Sequence, residues 1–209
     1  MPLGEPWPFS VAAEGGMYAK SFLILLNPII TMRDLSAHIL DIAQNSTAAG
    51  ATRIDIDVME DGSFIDIKIS DNGHGMDAAT LARVFDPFFT SRTTRKVGLG
   101  MPLLMQNARQ TGGDVTIDST PGKGTTATAR FVATHIDCLP WGDLPLTIAL
   151  LASGYPRVRW VYNHHKNGRN YCFDTDEVMQ TLGDVSLQHP KVVTFMTEMI
   201  RENLNELSR

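Results

Sequence analysis

The sequence predicts an α/β protein of the α+β kind, a two-layer α/β sandwich in which helices cover one face of a sheet. The segments 54–58 and 65–69 alternate apolar and polar residues, which is typical of strands with one buried side. Apolar residues recur at helical spacing in 35–43 and again in 103–108. Because the strands are apolar on one side only, one layer of helices is enough to bury that side.

The elements of this sandwich follow each other in the order α-β-β-α-α-β-β. Asp34 is placed to cap the first helix. A short helix is expected at 77–84, and a longer one at about 100–111, where Gly112-Gly113 ends it. Two strands joined by a glycine-rich turn at 121–124 complete the region, and they are expected at 115–118 and 125–132.

The chain divides into three parts. Residues 1–31 are rich in Pro and Gly and have no clear period, so we expect a tail or a misassigned extension, with Met32 as the natural start. Residues 32–134 form the sandwich. Residues 135–209 are expected to form a small α+β C-terminal region that packs on the sandwich, with a hairpin at Asn167-Gly168. Helices are expected in this region at 143–153, 175–182 and 189–207, and strands at 158–163 and 170–174.

Composition excludes several classes of protein. The 209 residues carry 18 Lys and Arg against 23 Asp and Glu, a formal charge of −5, which opposes binding to nucleic acid. Cys138 and Cys172 show neither disulfide nor zinc spacing, as is typical of a reducing cytoplasm. The apolar stretch at 22–30 is too short to span a membrane and lacks the basic start of a signal peptide. We therefore expect a cytoplasmic protein without membrane or nucleic-acid partners.

The first helix carries two polar residues that could act together. Asp41 and Asn45 are four residues apart, so they share one face of the helix. Their oxygens are suited to holding Mg²⁺ and positioning a water molecule. Taken alone, the pair is better explained as part of an ordinary polar helix face.

Two glycine-containing turns are candidate nucleotide contacts. Asp71 ends a strand and could accept the amine of adenine, while Gly73 and Gly75 allow the backbone close to a ligand. The alternative is a tight Asn-Gly turn. Gly98 and Gly100 precede a helix whose free N–H groups suit a polyphosphate, although a bare Gly-x-Gly is also common in ordinary loops. Three cations just upstream could approach a γ-phosphate or form a solvated basic run: Arg92, Arg95 and Lys96.

Taken together, five ordered segments resemble the ATP-binding domain of the GHKL superfamily, which includes gyrase, the heat-shock chaperone ATPase, histidine kinases and MutL. The resemblance covers about residues 33–132 and implies the Bergerat type of sandwich, with ATP and Mg²⁺ as cofactors. The segments resemble the N box, the G1 box, the F box, the G2 box and a closing glycine box, at 41–50, 71–76, 85–92, 98–101 and 122–125 respectively.

The resemblance also implies a role for each matching residue. Asn45 would ligate Mg²⁺. Asp71 would bind adenine and would be held by Thr125 through a water molecule. Asp41 would be the catalytic residue that polarises water or a substrate hydroxyl. The remaining positions implied for nucleotide binding are Gly73, Gly75, Met76, Phe88, Arg92, Lys96, Gly98, Leu99, Gly100 and Met101.

The amino-acid sequences of the F and G2 boxes are similar to those of histidine kinases. The resemblance thus implies a kinase that passes the γ-phosphoryl of ATP to a partner protein in signal transduction, or an ATPase. The 31 residues before the N-box helix are too few for a dimerisation hairpin with a phosphoacceptor histidine, so we expect a stand-alone domain that acts on its partner in trans.

Two alternatives remain open at this point. Several family members have Glu where this chain has Asp41, and the shorter side chain favours an ATP-gated binding module with little or no turnover. A MutL-like ATPase ranks below, because the charge and length oppose it. The other histidines indicate no metal site: His38 is expected to bond locally within its helix, and His164 and His165 are expected to lie in a solvated loop.

Overall fold

The computed structural model describes residues 32–87 and 99–209. Within these residues the chain forms six helices and six strands that contribute to one sheet. The helices are α1 (Leu35–Ala48), α2 (Ala78–Leu81), α3 (Gly100–Gln110), α4 (Leu144–Gly154), α5 (Thr175–Leu182) and α6 (Pro190–Leu207). The strands are β1 (Arg53–Glu60), β2 (Phe64–Asp71), β3 (Asp114–Thr120), β4 (Gly124–Val132), β5 (Arg159–Lys166) and β6 (Arg169–Asp174).

The sheet has the strand order β3-β4-β2-β1-β5-β6. All neighbours are antiparallel except β1 and β5, which run parallel, with Ile54 beside Trp160. The register of β2 and β4 places Asp71 beside Thr125 at the edge where β2 ends. This pairing brings together two of the residues on which the predicted nucleotide site depends.

The core lies between the sheet and its helical layer. Ile54, Ile56 and Val58 of β1 are at most 1% exposed, and the alternate residues of β2 are buried on the same side. Helix α1 contributes Leu35 and Ile39, both fully buried, to the same core. The predicted alternation of the strands and the predicted α/β sandwich are thereby confirmed.

Local signals in the sequence account for how several elements begin and turn. Asp34 caps α1, where its Oδ1 accepts the N–H of Ala37 at 2.8 Å. The β5–β6 hairpin turns at Asn167 and Gly168, with φ of 54° and 74°. Both residues have the positive φ that a two-residue hairpin turn demands, and Asn and Gly adopt it at little cost. The predicted hairpin is confirmed.

The C-terminal region continues the sheet of the sandwich. Strand β5 pairs with β1 along eight residues, from Arg53 beside Arg159 to Glu60 beside Lys166. The segment between β4 and α4 also lies on α1, because the carbonyls of Pro140 and Trp141 accept the N–H groups of Leu35 and Ser36 at 2.9 and 3.0 Å. The division at residue 134 stays a prediction about organisation, and the predicted tail at 1–31 lies outside the described residues.

Two expectations about histidines are wrong. His164 is not in a solvated loop: it lies on β5, is 4% exposed, and bonds to Glu60 of β1. His38 does not bond locally, since its Nε2 lies 2.9 Å from Asn107 Nδ2 on α3. Both partners are distant along the chain, so only the packing of the fold brings them together. Among the described residues, none of the helices combines the length and the apolar character that a membrane span requires.

Candidate functional site

Asp71 ends β2, and its carboxylate accepts three hydrogen bonds. Ser46 Oγ donates to Oδ2 at 2.7 Å, while the backbone N–H groups of Gly73 and Thr125 donate to Oδ1 at 2.9 and 3.3 Å. Thr125 therefore contacts Asp71 directly through its backbone, where the resemblance implied a link through water. These donors hold the carboxylate plane in one orientation, as recognition of a planar base requires.

The turn after Asp71 is tightly enclosed. The N–H of His74 donates to Ala49 O at the end of α1, at 2.9 Å. A Cβ on Gly73 would lie 2.9 Å from that same carbonyl. Gly75 has φ of 66°, and a Cβ there would overlap the carbonyl of Thr120. The two glycines thus let the turn fit between α1 and the β3–β4 hairpin.

Two serines that sequence reasoning missed complete this part of the site. Ser46 is 4% exposed and donates to Asp71. Ser119 Oγ accepts the N–H of Met76 at 2.8 Å and lies 2.8 Å from Thr125 Oγ1. The sequence marked these two serines only weakly. Ser46 follows Asn45 on α1, and Ser119 lies opposite Thr125 in the pairing of β3 with β4. Ser119 thereby ties the turn after β2 to the start of β4.

Asp41 and Asn45 lie on one face of α1, as predicted, and Asp41 meets the start of α3. Asn45 Nδ2 lies 3.5 Å from Asp41 Oδ2. A Cβ on Gly100 would overlap the Asp41 carboxylate, so glycine lets the first residue of α3 approach this closely without displacing that side chain. The structure therefore brings Asp41, Asn45 and Gly100 together.

The remaining predicted residues fall into two groups. Leu99 and Met101 flank Gly100 at the start of α3, which has no side-chain cap. The other four lie outside the described residues: Phe88, Arg92, Lys96 and Gly98. The described part of the predicted nucleotide site thus has two components. One is the nucleotide floor, which is formed by α1, the end of β2 and the β3–β4 hairpin, and the other is the start of α3.

His38 connects the two helices of the site. Burial lowers the pKa of His38 to about 4, although the charge of Asp34 acts in the opposite direction. The imidazole is therefore neutral near pH 7, and its Nε2 can accept the hydrogen bond from Asn107 Nδ2. This bond links α1, which carries Asp41 and Asn45, to α3.

The donor atoms fit a magnesium ion held mainly by other ligands. Asn45 offers an amide oxygen, and the Asp41 carboxylate lies beside it. Among residues 32–87 and 99–209, no group of three or more His, Cys, Asp or Glu side chains could hold a metal alone. Mg²⁺ bound with a nucleotide uses few protein ligands, because phosphate oxygens and waters fill most of its positions. The set at Asp41 and Asn45 matches that chemistry.

Comparison with known proteins agrees with this geometry. The family described as "Histidine kinase-, DNA gyrase B-, and HSP90-like ATPase" matches residues 29–135. The sensor kinase CckA of Brucella abortus is 31% identical over 124 residues, which are 57% of this chain and 13% of the relative. A putative sensor protein of Shewanella frigidimarina is 37% identical over 107 residues, 47% of this chain and 16% of the relative. The chain therefore spans a small part of these relatives.

A solved structure shows the same fold over most of the chain. The crystal structure of the N-terminal domain of a DNA repair protein aligns with a TM-score of 0.51 and 14% identity, covering 84% of this chain and 58% of that one. The family match extends over the helices and strands that build the candidate site, from α1 to β4. The chain therefore belongs to the family of histidine kinase-, DNA gyrase B- and HSP90-like ATPases.

Proposed function

We propose that the protein binds Mg²⁺-ATP and, as a histidine-kinase-type enzyme, transfers the γ-phosphoryl group to a partner protein. The observation that carries this proposal is the Asp71 carboxylate, held by Ser46, Gly73 and Thr125 at the end of β2. A carboxylate fixed in this way is an acceptor for the exocyclic amine of adenine. The sensor kinases among the relatives favour phosphoryl transfer over other uses of ATP.

Each residue has a defined part in this proposal. The amide oxygen of Asn45 would hold Mg²⁺, whose charge would offset the negative charge of the phosphates. Asp41 would orient the nucleophile and take its proton. A side chain of the partner would attack the γ-phosphorus, the bond to the β,γ-bridging oxygen would break, and ADP would leave. Positioning and charge neutralisation then supply most of the catalysis.

A second function is favoured by the surroundings of Asp41. The Asp41 carboxylate packs against Gly100 and lies beside Asn45. Asp41, the residue that would activate a nucleophile, is therefore already in contact with the start of α3. A protein in which ATP orders this junction, with little or no turnover, would act as a nucleotide-gated binding module. The partner would then recognise the ordered surface and would receive no phosphate. A cytoplasmic location is proposed for either function.

The experiment that separates these functions follows the γ-phosphate of labelled ATP. The full chain with Mg²⁺ and a lysate of its source is expected to label a second protein. Asn45→Ala should abolish this label, whereas Asn170→Ala, an exposed amide on β6, should not. Tight ATP binding without label or released phosphate would support the gated module instead. Absence of ATP binding would overturn both proposals.

A further inference from the structure

A cavity of about 490 Å³ lies at the far end of β1 and β5, away from Asp71 at the end of β2. The start of α4 and the end of α6 line its other sides. Its lining includes Glu60 and His164 from the sheet and Asp143, Arg201 and Asn205 from the two helices and the preceding loop. Residues of both the sandwich and the C-terminal region thus contribute to one cavity.

One wall of this cavity includes the outer members of a chain of polar groups that continues into the core. Tyr162 Oη lies 2.5 Å from His164 Nδ1, and His164 Nε2 lies 2.7 Å from Glu60 Oε1. Lys166 Nζ lies 3.1 Å from the other oxygen of Glu60. Tyr162 is fully buried and His164 is 4% exposed. Buried polar groups are costly unless they are paired, and here each one has a partner.

The protonation of this chain follows from its hydrogen bonds. Burial, aided by the negative charge of Glu60, raises the pKa of Tyr162 well above its ordinary value. Tyr162 therefore keeps its proton, and the His164 imidazole bridges the Tyr162 hydroxyl and the Glu60 carboxylate. Burial acts to raise the pKa of Glu60, but the hydrogen bonds from His164 and Lys166 and the charge of Lys166 together outweigh it, so this pKa is lowered. Glu60 is thus a fixed carboxylate that holds Lys166 beside the cavity.

Two of the groups that face the cavity are cations, Lys166 and Arg201, and two are the carboxylates that pair with them, Glu60 and Asp143. Lys166 is 28% exposed and Arg201 is 38% exposed, so both cations are accessible from it. The Lys166 ammonium has three N–H donors, more than its contact with Glu60 uses. The Arg201 guanidinium has five, more than its contacts with Asp143 and Glu198 use. Asn205 adds an amide. Two cations beside an indole ring, that of Trp141, match a small organic anion.

We propose that this cavity is a second ligand site, and that it binds a small oxyanion of the carboxylate or phosphate class. Lys166 and Arg201 would take the oxygens of the anion, and Trp141 would cover its apolar part. Glu60 and His164 would act as positioning residues that keep Lys166 in place. The site is separate from the nucleotide floor and does not depend on the function proposed for it.

The same wall contacts the start of α1. The Trp141 ring lies 5.6 Å from the His164 ring, and the Trp141 carbonyl accepts the N–H of Ser36 at 3.0 Å. An anion that fixes Trp141 would therefore also stabilise the first turn of the helix that carries Asp41 and Asn45. Coupling of this kind is reciprocal, so a nucleotide at the first site would strengthen binding of the anion. This coupling, unlike the binding of the anion, rests on the proposed function.

The test titrates the full chain separately with sodium phosphate and sodium acetate, at constant ionic strength balanced by sodium chloride. Tryptophan fluorescence and the thermal unfolding midpoint report binding. At least one anion is expected to give saturable binding with a Kd of about 1 mM or tighter. The anion whose binding saturates, phosphate or acetate, identifies the chemical class that the site binds. If neither arm saturates, or if chloride alone gives the same response, the proposal is wrong.

Variants locate the response within the molecule. Arg201→Gln should weaken the anion at least about tenfold, the equivalent of one lost charge-assisted contact. Asn205→Asp should weaken it too, by adding negative charge to the lining. Lys191→Gln changes the same charge at the exposed start of α6 and should leave binding unchanged. Equal responses in Arg201→Gln and Lys191→Gln would overturn the proposal.

A last comparison separates this site from the nucleotide site. Asn45→Ala should keep the anion response whether or not the protein is a kinase. Loss of that response in Asn45→Ala would place the anion on the nucleotide floor and would overturn the proposal. A protein that binds the anion but no ATP would refute the proposed function and leave this site standing.

Discussion

Replacing Asp71 by Asn isolates the contribution of one carboxylate to nucleotide binding. The substitution keeps the shape of the side chain and one acceptor oxygen, but it places an NH₂ group where the second oxygen stood. Gly73 and Thr125 donate to one oxygen and Ser46 donates to the other. An asparagine oxygen can keep the two backbone bonds, and the Ser46 hydroxyl can turn to accept from the new amide. The fold should therefore lose only about 1 kcal/mol.

The effect on ATP should be larger than the effect on the fold. A hydrogen bond to a charged acceptor contributes about 1.5–3 kcal/mol, and a neutral one about 0.5–1.5 kcal/mol. Loss of the charge and partial mismatch of the amide together amount to about 2 kcal/mol, or roughly a thirty-fold weaker Kd. Isothermal titration of Mg²⁺-ATP into the folded variant measures this change.

A carboxylate on the same strand provides the matched control. Asp66 also belongs to β2, but it lies on the face of the sheet away from the core, where it accepts two 2.7 Å hydrogen bonds from Arg130. Asp66→Asn changes the same charge and should leave the Kd for ATP unchanged. If Asp71→Asn unfolds cooperatively and still binds ATP with wild-type affinity, the assignment of Asp71 as the adenine acceptor is refuted.

Three further predictions follow from single residues of the site. Asn45→Ala should remove the difference between the ATP affinities measured with Mg²⁺ and with EDTA, and an undiminished difference would show that Asn45 is not the ligand. In urea unfolding, Gly75→Ala should lower the free energy of unfolding by at least about 2 kcal/mol more than Gly62→Ala does. Both glycines have positive φ, but only at Gly75 would the new Cβ overlap a carbonyl, that of Thr120. Equal losses in the two variants would contradict this. The pKa of His38 is about 4 in the folded chain, below its ordinary value of 6.5. Between these two pH values the unfolded chain therefore binds more protons than the folded chain, so the free energy of unfolding falls as the pH is lowered. From pH 7 to pH 5 the loss should be about 2 kcal/mol, and His38→Gln should reduce it in urea titrations at the two pH values; an unchanged pH dependence would show that His38 is not the titrating group.

The elements that the sequence predicted correctly are those that depend on neighbouring residues. The alternation of Ile65, Ile67 and Ile69 predicts a strand with one buried side, because successive side chains point to opposite faces. Asp34 predicts a helix start for a similarly local reason, since a cap bonds to an N–H three residues away. The Asn167-Gly168 hairpin depends on two φ values alone. Each of these features is fixed within a few residues.

The sequence also determined which family the chain belongs to and which residues to examine. Asp41, Asn45, Asp71 and the glycines were recognisable because their order along the chain carries the resemblance. Their spacing on α1 and at the end of β2 could be read directly. The roles of these residues in binding stay predictions that the variants above test.

Only the tertiary structure decided which distant groups meet. Ser46 contacts Asp71 from 25 residues away, His38 contacts Asn107 from 69, and Glu60 contacts His164 from 104. The parallel pairing of β1 with β5 produces the last of these contacts and makes the C-terminal region part of one sheet. A strand does not encode its neighbour in its own alternation, because any strand with a matching apolar side can pair with it. The packing of the whole chain selects the partner.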